Sequence, residues 1–288
     1  MSSQWYRAVL SNRTPMEPQP TDIEPRLGRL DSISAVIFDI YGTLIISGTG
    51  DVGSADEGNH GDAILQALAA AEIEMDSHAP PTIDQLHQAI RTANDNRLSA
   101  TCIKPEVEIV DVWRTVLESA GIDPPSCDRV HRLAAEYESI SNPTWPMPGA
   151  QELIEQLAKT DKVLGIVSNA QGFTLPLIEE ISGDFGVESV FVVNLCVFSY
   201  RYRQAKPAPR LFDVLSDGLN RAGIAPEQAI YVGNDRLNDV WAASQAGLRT
   251  AWFAGDRRSL RARSDDSRAA SVTPDLILTR LDQLVDCI

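Results

Sequence analysis

The chain has 288 residues, of which 43% are hydrophobic and 23% are charged, and its formal net charge is −15. This length is enough to bury a full core in one large domain or two smaller ones, so we expect a compact enzyme. The acidic balance argues against nucleic acid and anionic lipid as partners, because both are bound mainly through clustered Lys and Arg.

Cysteine usage and hydropathy indicate the compartment. The four cysteines show no CxxC or Cys/His ligand spacing, and they are Cys102, Cys127, Cys196 and Cys287. Such scattered residues suit reduced thiols better than a disulfide framework. No apolar run approaches the roughly 20 residues of a membrane span, and the N-terminus lacks the basic-then-apolar order of a signal peptide. We therefore expect a cytoplasmic protein that has no membrane partner.

The first regular element follows a proline-containing segment. Residues 1–30 carry several prolines and little periodicity, which predicts an irregular N-terminal arm. Residues 35–39 read Ala-Val-Ile-Phe-Asp, a short apolar run typical of a strand that is buried on both faces. The turn signal Tyr-Gly-Thr at residues 41–43 ends this run. We interpret it as the first strand of an α/β core.

A helical block interrupts the core. The Gly-rich residues 48–61 do not lead into a GK[ST] sequence, so we interpret them as a flexible loop rather than a phosphate cradle. Apolar residues then recur at intervals of three and four, for example at Ile64 and Leu68 and again at Trp113 and Val116. This spacing predicts amphipathic helices. The predicted domains are the arm at 1–30, the core at 31–50 and 142–288, and the helical block at 51–141.

The α/β alternation resumes after a turn and linker signal at residues 142–149. Further strands are predicted at residues 163–167, 190–193, 229–232 and 250–253, with helical stretches between them. This alternation predicts a parallel sheet with right-handed crossovers. Ligands of such sheets bind at the carboxyl ends of the strands.

Polar residues stand where these strands end. Asp39 follows the first strand, Ser168 and Asn169 follow the second, and Lys206 precedes a helix; the last group is Asn234, Asp235 and Asp239. The order resembles that of the haloacid dehalogenase-like hydrolases, whose motifs are DxDGT, a Ser or Thr, a Lys, and GDxxxxD or GDxxxD. The resemblance covers residues 35–255. It implies a Rossmann-like parallel sheet core with an inserted, mostly helical cap domain.

The resemblance implies catalysis by a covalent aspartyl intermediate formed on Asp39. Ser168, Asn169 and Thr43 would bind the transferring phosphoryl group, and Lys206 would supply a compact positive charge. No Lys or Arg occurs between Asp31 and Ile90, so an anionic substrate near this segment needs a cation from elsewhere. The structural alternatives are a turn-capping residue for Asp39 and an exposed surface lysine for Lys206, and we favour the nucleophile for Asp39 because of the motif order.

The acidic cluster implies a Mg²⁺ cofactor, because Mg²⁺ prefers oxygen ligands and bridges to phosphate oxygens. Asp39, the carbonyl of Tyr41 and either Asn234 or Asp235 would be direct ligands. A spacing of five to Asp239 favours Asn234, and a spacing of four favours Asp235. We favour Asp235, with Asp239 in support. A helix N-terminus rich in Asp is the structural alternative.

Tyr41 departs from the phosphatase pattern. It stands where phosphatases of the family have the Asp that protonates the leaving group, and a phenol with a pKa near 10 performs that task poorly. Tyr at this place is similar to the 2-haloacid dehalogenases, which act without metal. Three functions stay open: Mg²⁺-dependent phosphoryl hydrolysis of a small anionic metabolite, which we rank first, metal-independent 2-haloacid dehalogenation, and anion or metal binding without turnover.

Overall fold

A parallel sheet forms the core of the protein, whose computed structural model describes residues 4–11, 13–49, 60–75, 78–123 and 125–288. The strands are β1 Ala35–Phe38, β2 Ile45–Ser47, β3 Thr144–Pro146, β4 Val163–Ser168, β5 Phe191–Phe198, β6 Ala229–Gly233, β7 Arg249–Phe253 and β8 Leu276–Leu278. Six of them pair in parallel, in the spatial order β5-β4-β1-β6-β7-β8. The predicted Rossmann-like α/β class is confirmed.

Strand β1 lies at the centre of the sheet because it has no polar side chain to expose. All four of its residues are buried, as expected for a parallel strand covered on both faces. Phe38 is level with Ile166 of β4 and with Val232 of β6. The carboxyl ends of these three strands therefore meet at one edge, where their polar residues come together.

Helices surround this sheet and form the block inserted after β2. The α-helices are α1 His60–Ala70, α2 Ile83–Asp95, α3 Ile109–Ser119, α4 Cys127–Ser141, α5 Ala150–Leu157, α6 Leu175–Ile181, α7 Val187–Val190, α8 Ser199–Tyr202, α9 Arg210–Arg221, α10 Ala242–Gln245 and α11 Ser267–Ala270. A π-helical segment, Arg236–Trp241, leads into α10. Short 3-10 helices are Gln4–Leu10, Gly172–Thr174, Gly183–Phe185, Pro226–Gln228 and Leu281–Cys287.

Helices α1 to α4 make up the inserted block. Trp113 of α3 is fully buried and packs edge-on against Tyr137 of α4, with ring centroids 5.2 Å apart. Such aromatic pairs stabilise a core beyond the area that they bury. The periodic residues thus form helices as predicted, while the division of the chain into domains stays a prediction.

Two segments differ from their predicted structure. Val190 ends the short helix α7, and the strand predicted at residues 190–193 begins one residue later and runs to Phe198. The linker at residues 142–149 contains β3, which pairs antiparallel with β2. Apolar runs this short carry no periodicity that separates strand from turn. The loop prediction for residues 48–61 falls mostly outside the described residues.

The N-terminal arm is more regular than predicted. Gln4–Leu10 is a 3-10 helix that buries Tyr6 and Val9. The Tyr6 ring lies 4.8 Å from that of His131 on α4, measured between centroids. On the other side, the Arg13 guanidinium binds Glu180 of α6 at 2.6 Å. The arm therefore joins the inserted helices to the core, an arrangement that its prolines do not reveal.

A buried carboxyl lies where the chain returns from the inserted block to the core. Glu138 of α4 accepts a hydrogen bond of 2.8 Å from the amide of Asn142. The carbonyl of that amide accepts from the hydroxyls of Ser47 and Thr49, at 2.8 Å and 3.1 Å. Burial raises the pKa of the Glu138 carboxyl to about 7, against the opposing effect of the Asn142 bond.

The isosteric variant Glu138→Gln is expected to remove a pH dependence of stability. The folded state holds the Glu138 proton up to about pH 7, whereas the unfolded chain releases it near its ordinary pKa of 4.5. Stability of the natural chain therefore falls as pH rises through this window, by up to about 3 kcal/mol. Urea unfolding between pH 4.5 and 8 measures it. Parallel curves for the two proteins would contradict the assignment.

Candidate active site

A pocket opens at the carboxyl edge of the sheet, at the ends of β1, β4 and β6. The described residues that line it are Asp39, Tyr41, Asn169, Lys206, Asn234, Asp235, Asn238, Asp239 and Arg261. They come from segments that lie far apart in the sequence. Seven of the nine residues predicted to form the site are among them. The other two, Thr43 and Ser168, are not part of this lining.

Asp39 is the first residue beyond β1, and the chain turns sharply after it. Its amide donates to the carbonyl of Val232 at 2.9 Å, so the sheet ladder holds its main chain. Gly42 has φ +79°, and a Cβ there would lie 2.5 Å from that of Ser259 and 2.6 Å from the amide nitrogen of Asn234. Only glycine suits both the backbone conformation and this approach. The turn therefore brings Asn234 close to the Asp39 segment.

Lys206 links two carboxylates. Its ammonium Nζ lies 2.9 Å from Oδ1 of Asp39 and 2.5 Å from Oδ1 of Asp239, and it is almost fully buried. It also donates to the hydroxyl of Tyr231 at 2.9 Å. Burial alone would lower the pKa of Lys206, but the charges of Asp239 and Asp39 outweigh burial and raise it. Lys206 is therefore a permanent cation beside Asp39.

Asp239 is the second carboxylate that binds the ammonium group of Lys206. Besides Lys206, it accepts hydrogen bonds from the Tyr231 hydroxyl at 3.2 Å and from the amide of Asp235 at 2.8 Å. Each of its two oxygens thus has a donor, and its side chain is 1% exposed. Asp39 has a different surrounding. Among the described residues, Oδ1 of Asp39 accepts from Lys206, and Oδ2 has no hydrogen-bond partner.

The Tyr41 side chain does not offer an acid or a base at neutral pH. Its hydroxyl lies 2.9 Å from that of Thr174. Burial raises the pKa of Tyr41 well above 10, and the charges of Glu138 and Asp39 add to the effect. The phenol therefore stays protonated. Thr174, which no sequence motif marks, is the partner that holds it.

The predicted substrate-binding residues differ in their placement. Asn169 lines the pocket, and its side-chain oxygen accepts from the Lys206 amide at 2.8 Å. The hydroxyl of Thr43 points to the Asn234 oxygen at 3.3 Å. Ser168 is fully buried at the end of β4, where its hydroxyl donates to the Asn169 carbonyl at 3.4 Å. The contact of Ser168 and Thr43 with substrate stays a prediction.

Asp235 has partners that argue against its predicted part as a metal ligand. Its Oδ1 accepts from the amides of Leu237 and Asn238, at 2.8 Å and 3.0 Å, and so caps the π-helical segment. Its Oδ2 binds the guanidinium of Arg263 through two nitrogens, at 3.0 Å and 2.7 Å. Both oxygens thus have partners within the protein, and the choice between Asp235 and Asn234 as metal ligand stays a prediction. The sequence offered both spacings and could not decide between them.

Asn234 lies next to the turn that follows Asp39. Its amide nitrogen donates to the carbonyl of Ser259, and its oxygen lies on the Thr43 side. The oxygen donors of Asp39, Tyr41 and Asn234 suit a hard cation such as Mg²⁺. In the part of the chain that the structure describes, no group of three or more His, Cys, Asp and Glu could hold a metal ion. A metal held by these three residues would therefore have one carboxylate ligand, that of Asp39.

Two arginines of the pocket region belong to none of the sequence motifs. Arg261 lines the pocket, and Arg263 binds Asp235, and both lie in the loop after β7. The loop is visible in the sequence as a basic stretch, with four arginines in residues 257–263. It follows no recognised motif. Its place beside the pocket depends on the pairing of Asp235 with Arg261 in an isolated parallel bridge.

Comparison with known proteins identifies the class. A family model described as haloacid dehalogenase-like hydrolase matches residues 33–247, which is most of the chain. The chain belongs to this family and is a hydrolase, as the motif order predicts. No helix in the described ranges is long and apolar enough to cross a membrane.

Individual relatives carry two kinds of activity in their names. A glyceraldehyde 3-phosphate phosphatase of Methanopyrus kandleri is 23% identical over 257 residues, which cover 89% of this chain and 97% of that protein. A phosphoglycolate phosphatase of Salmonella choleraesuis is 27% identical over 225 residues, covering 77% and 81%. The crystal structure of a 2-haloacid dehalogenase from Pseudomonas syringae has a TM-score of 0.52 at 22% identity, covering 88% and 97%, and shares the fold.

Proposed function

We propose that the protein hydrolyses a small anionic phosphate ester through a covalent intermediate on Asp39. The observation that carries the proposal is the ion pair of Asp39 and Lys206 at the carboxyl edge of the sheet, 2.9 Å apart, in a pocket. A nucleophile next to a fixed cation suits attack on an anion, since the cation offsets the charge that the two groups bring together. The names of the phosphatase relatives support this substrate class.

The reaction divides into two displacements. An oxygen of Asp39 attacks phosphorus, the bond from phosphorus to the leaving oxygen breaks, and that oxygen departs with the electron pair. Water then attacks the aspartyl phosphate, which releases inorganic phosphate and restores the carboxylate. Lys206 stabilises negative charge in both steps, and Asp239 and Tyr231 hold the ammonium in place.

The leaving group must depart without a strong acid. Tyr41 occupies the place of the second Asp of the motif, and its buried phenol is held by Thr174. Substrates whose leaving oxygen is already a weak base are therefore the best ones. Aryl phosphates and alkyl phosphates of graded leaving-group pKa test this directly. Phosphate release that rises as that pKa falls supports the proposal, and failure with every ester opposes it.

We also propose a divalent cation, Mg²⁺, with Asn234 rather than Asp235 as one of its ligands. Asp39, the main-chain carbonyl of Tyr41 and the side-chain oxygen of Asn234 would hold Mg²⁺, which when bound neutralises phosphoryl charge. One carboxylate and neutral oxygens make a weaker site than two carboxylates. We therefore expect activity to require high Mg²⁺ concentrations and to fall when EDTA is added.

The pair Asn234→Asp and Asp235→Asn separates the two ligand assignments. Asn234→Asp adds a carboxylate and is expected to raise Mg²⁺ affinity by about 10-fold or more, because Mg²⁺ prefers charged oxygen ligands. Asp235→Asn keeps the oxygen that caps the helix and is expected to change the affinity little. Titration calorimetry with MgCl₂ measures both. Weaker binding by Asp235→Asn, with no gain in Asn234→Asp, would restore Asp235 as the ligand.

Dehalogenation of a 2-halo acid is the second candidate, and Tyr41 is the observation that favours it. Halide leaves without a proton, so a site that lacks an acid at this position suits that reaction as well. Halide release from 2-chloropropionate that is indifferent to EDTA, with no release of phosphate from esters, would favour this function. Under either function, the small-molecule substrate and the cytoplasmic location remain predictions.

A further inference from the structure

The segment at residues 169–174 holds two side chains of the active site. At its start, the side-chain oxygen of Asn169 accepts a hydrogen bond from the main-chain amide of Lys206 at 2.8 Å. At its end, the hydroxyl of Thr174 lies 2.9 Å from that of Tyr41. A displacement of this segment would therefore move both Lys206 and Tyr41.

The same segment is bound to the inserted helices through Gln171. The side-chain oxygen of Gln171 accepts from the amide of Ile109, the first residue of α3, at 3.0 Å. Its side-chain nitrogen donates to the carbonyl of Val107 at 2.9 Å. Gln171 is 5% exposed, and a buried amide that loses its partners is costly. Residues 169–174 thus connect the active site to the inserted helices.

Tyr6 of the N-terminal arm lies on this segment. A Cβ on Gly172 would be 2.6 Å from the Tyr6 hydroxyl oxygen and 2.7 Å from its Cζ, so the ring rests directly on the main chain. The Tyr6 ring also packs against that of His131 on α4, with centroids 4.8 Å apart. It is 8% exposed. One buried ring therefore contacts both the active-site segment and an inserted helix.

Other residues of the arm fix Tyr6 in this position. We call Gln4–Leu10, Ser11 and Arg13 the strap. The carbonyl of Ser11 accepts from the hydroxyl of Ser139 on α4 at 2.6 Å. The guanidinium of Arg13 binds Glu180 of α6 through two nitrogens, at 2.9 Å and 2.6 Å. The Arg13 side chain is 8% exposed, so this pair is shielded from the solvent that weakens surface ion pairs.

The strap contacts α4 at two separate points. His131 lies near the start of this helix and Ser139 near its end, about 12 Å apart along the axis at a rise of 1.5 Å per residue. The chain connects α4 to the core at its C-terminal end, where it leads into β3. The contact of Tyr6 with His131 adds an attachment towards the opposite end. Two attachments that far apart oppose rotation of α4 against the core.

We propose that the strap holds the inserted helices against residues 169–174 and thereby keeps Lys206 and Tyr41 in place for the reaction. Tyr6 is a positioning residue, and it is not among the described residues that line the pocket. The effect on hydrolysis rests on the proposed function. The restraint on the helices rests on the contacts of the strap alone.

Four variants of the full chain test this role. Tyr6→Ala removes the ring, and Tyr6→Phe keeps it. Gly172→Ala adds a methyl group that displaces the ring from the segment, and the φ of Gly172 is not positive, so its backbone suits alanine. Arg7→Ala is the matched control, because Arg7 lies in the same 3-10 helix but is 60% exposed, in an ion pair with Glu179. Circular dichroism establishes that the variants fold.

Hydrogen exchange measures the restraint without any substrate. In Tyr6→Ala and Gly172→Ala, the amides of α4 and of residues 169–174 are expected to exchange at least about 10-fold faster than in the natural chain, because local opening becomes easier. The amides of the central strands should keep their rates. Tyr6→Phe and Arg7→Ala should match the natural chain throughout.

Kinetics with an aryl phosphate measure the effect on the reaction. Tyr6→Ala is expected to lower kcat by about 10-fold and to change KM by less than about 3-fold, since a misplaced Lys206 acts mainly on the transition state. Tyr6→Phe should restore kcat. The double variant Tyr6→Ala/Gly172→Ala should equal Tyr6→Ala, because the added methyl group no longer meets a ring.

The outcomes separate this inference from the proposed function. Faster exchange in α4 and residues 169–174, without ester hydrolysis by the natural chain, supports the restraint and opposes the phosphatase. Hydrolysis with an unchanged kcat in Tyr6→Ala overturns the positioning role and leaves the phosphatase in place. Exchange that rises equally in the central strands would reveal a general loss of stability and would overturn the inference. Equal effects of Tyr6→Ala and Arg7→Ala would overturn it too.

Discussion

Replacement of Asp39 by Asn is expected to lower kcat for an aryl phosphate by at least about 10³-fold, because an amide oxygen is a poor nucleophile and cannot form the aspartyl phosphate. Substrate binding should change far less, since Lys206 remains. Steady-state release of aryl alcohol measures the loss. Acid quenching with a radiolabelled phosphate ester should trap label on the natural chain and none on Asp39→Asn.

The variant Asp39→Asn is expected to keep the geometry of the site. Asn at this position still presents an oxygen to Lys206, which Asp39 binds through Oδ1, so the thermal midpoint should shift little. Asp235→Asn is the control, because it also exchanges a carboxylate for an amide at the pocket but has no part in the attack on phosphorus. A rate for Asp39→Asn within about 3-fold of the natural chain would exclude Asp39 as the nucleophile.

Lys206→Met is expected to damage both stability and activity. It removes the ammonium group that binds both Asp39 and Asp239 and leaves these two carboxylates without it in a buried site. Breaking a buried ion pair on one side costs about 3–5 kcal/mol. Turnover should fall by about 10²- to 10³-fold, as for the loss of a group that stabilises developing negative charge. Urea unfolding and aryl phosphate hydrolysis measure the two effects.

A control and a rescue make this result specific. Lys162→Met removes a lysine whose ammonium donates to a main-chain carbonyl, that of Ile33, at 2.9 Å, and we expect it to cost less than about 1 kcal/mol. The double variant Lys206→Met/Asp239→Asn should regain part of the lost stability, because one carboxylate leaves with the lysine. Turnover should not return. A loss below about 1 kcal/mol in Lys206→Met would show that the carboxylates have other compensation.

The motif order and the main strands could be inferred from the amino-acid sequence because their signals are local. The run at residues 35–39 consists of apolar residues followed by one acid, a pattern that is typical of a strand covered on both faces. Parallel strands align their carboxyl ends, so Asp39, Lys206 and Asp239 were expected at one edge. The observed distances between them agree with that expectation.

Local sequence patterns do not decide between two structures when the local conformational free energies of the two are similar. Val190 is β-branched and was assigned to a strand, yet it completes a helical turn before β5 begins. The three-residue strands β2 and β3 exist only because they pair with each other across the inserted block. Pairing of this kind depends on residues about 100 positions apart, which no short window of sequence contains.

The chemistry of the pocket was decided by the tertiary structure. From the sequence alone, Asp235 and Asn234 were both reasonable metal ligands, and only folding brings Arg263 to the carboxylate of Asp235. Arg261 reaches the pocket by the same loop. A hydrophobic run and a motif determine which residues end a strand, because that choice is made along the chain. The partner of each charged side chain depends on which distant residues the fold brings close to it, since an ion pair depends on distance in space.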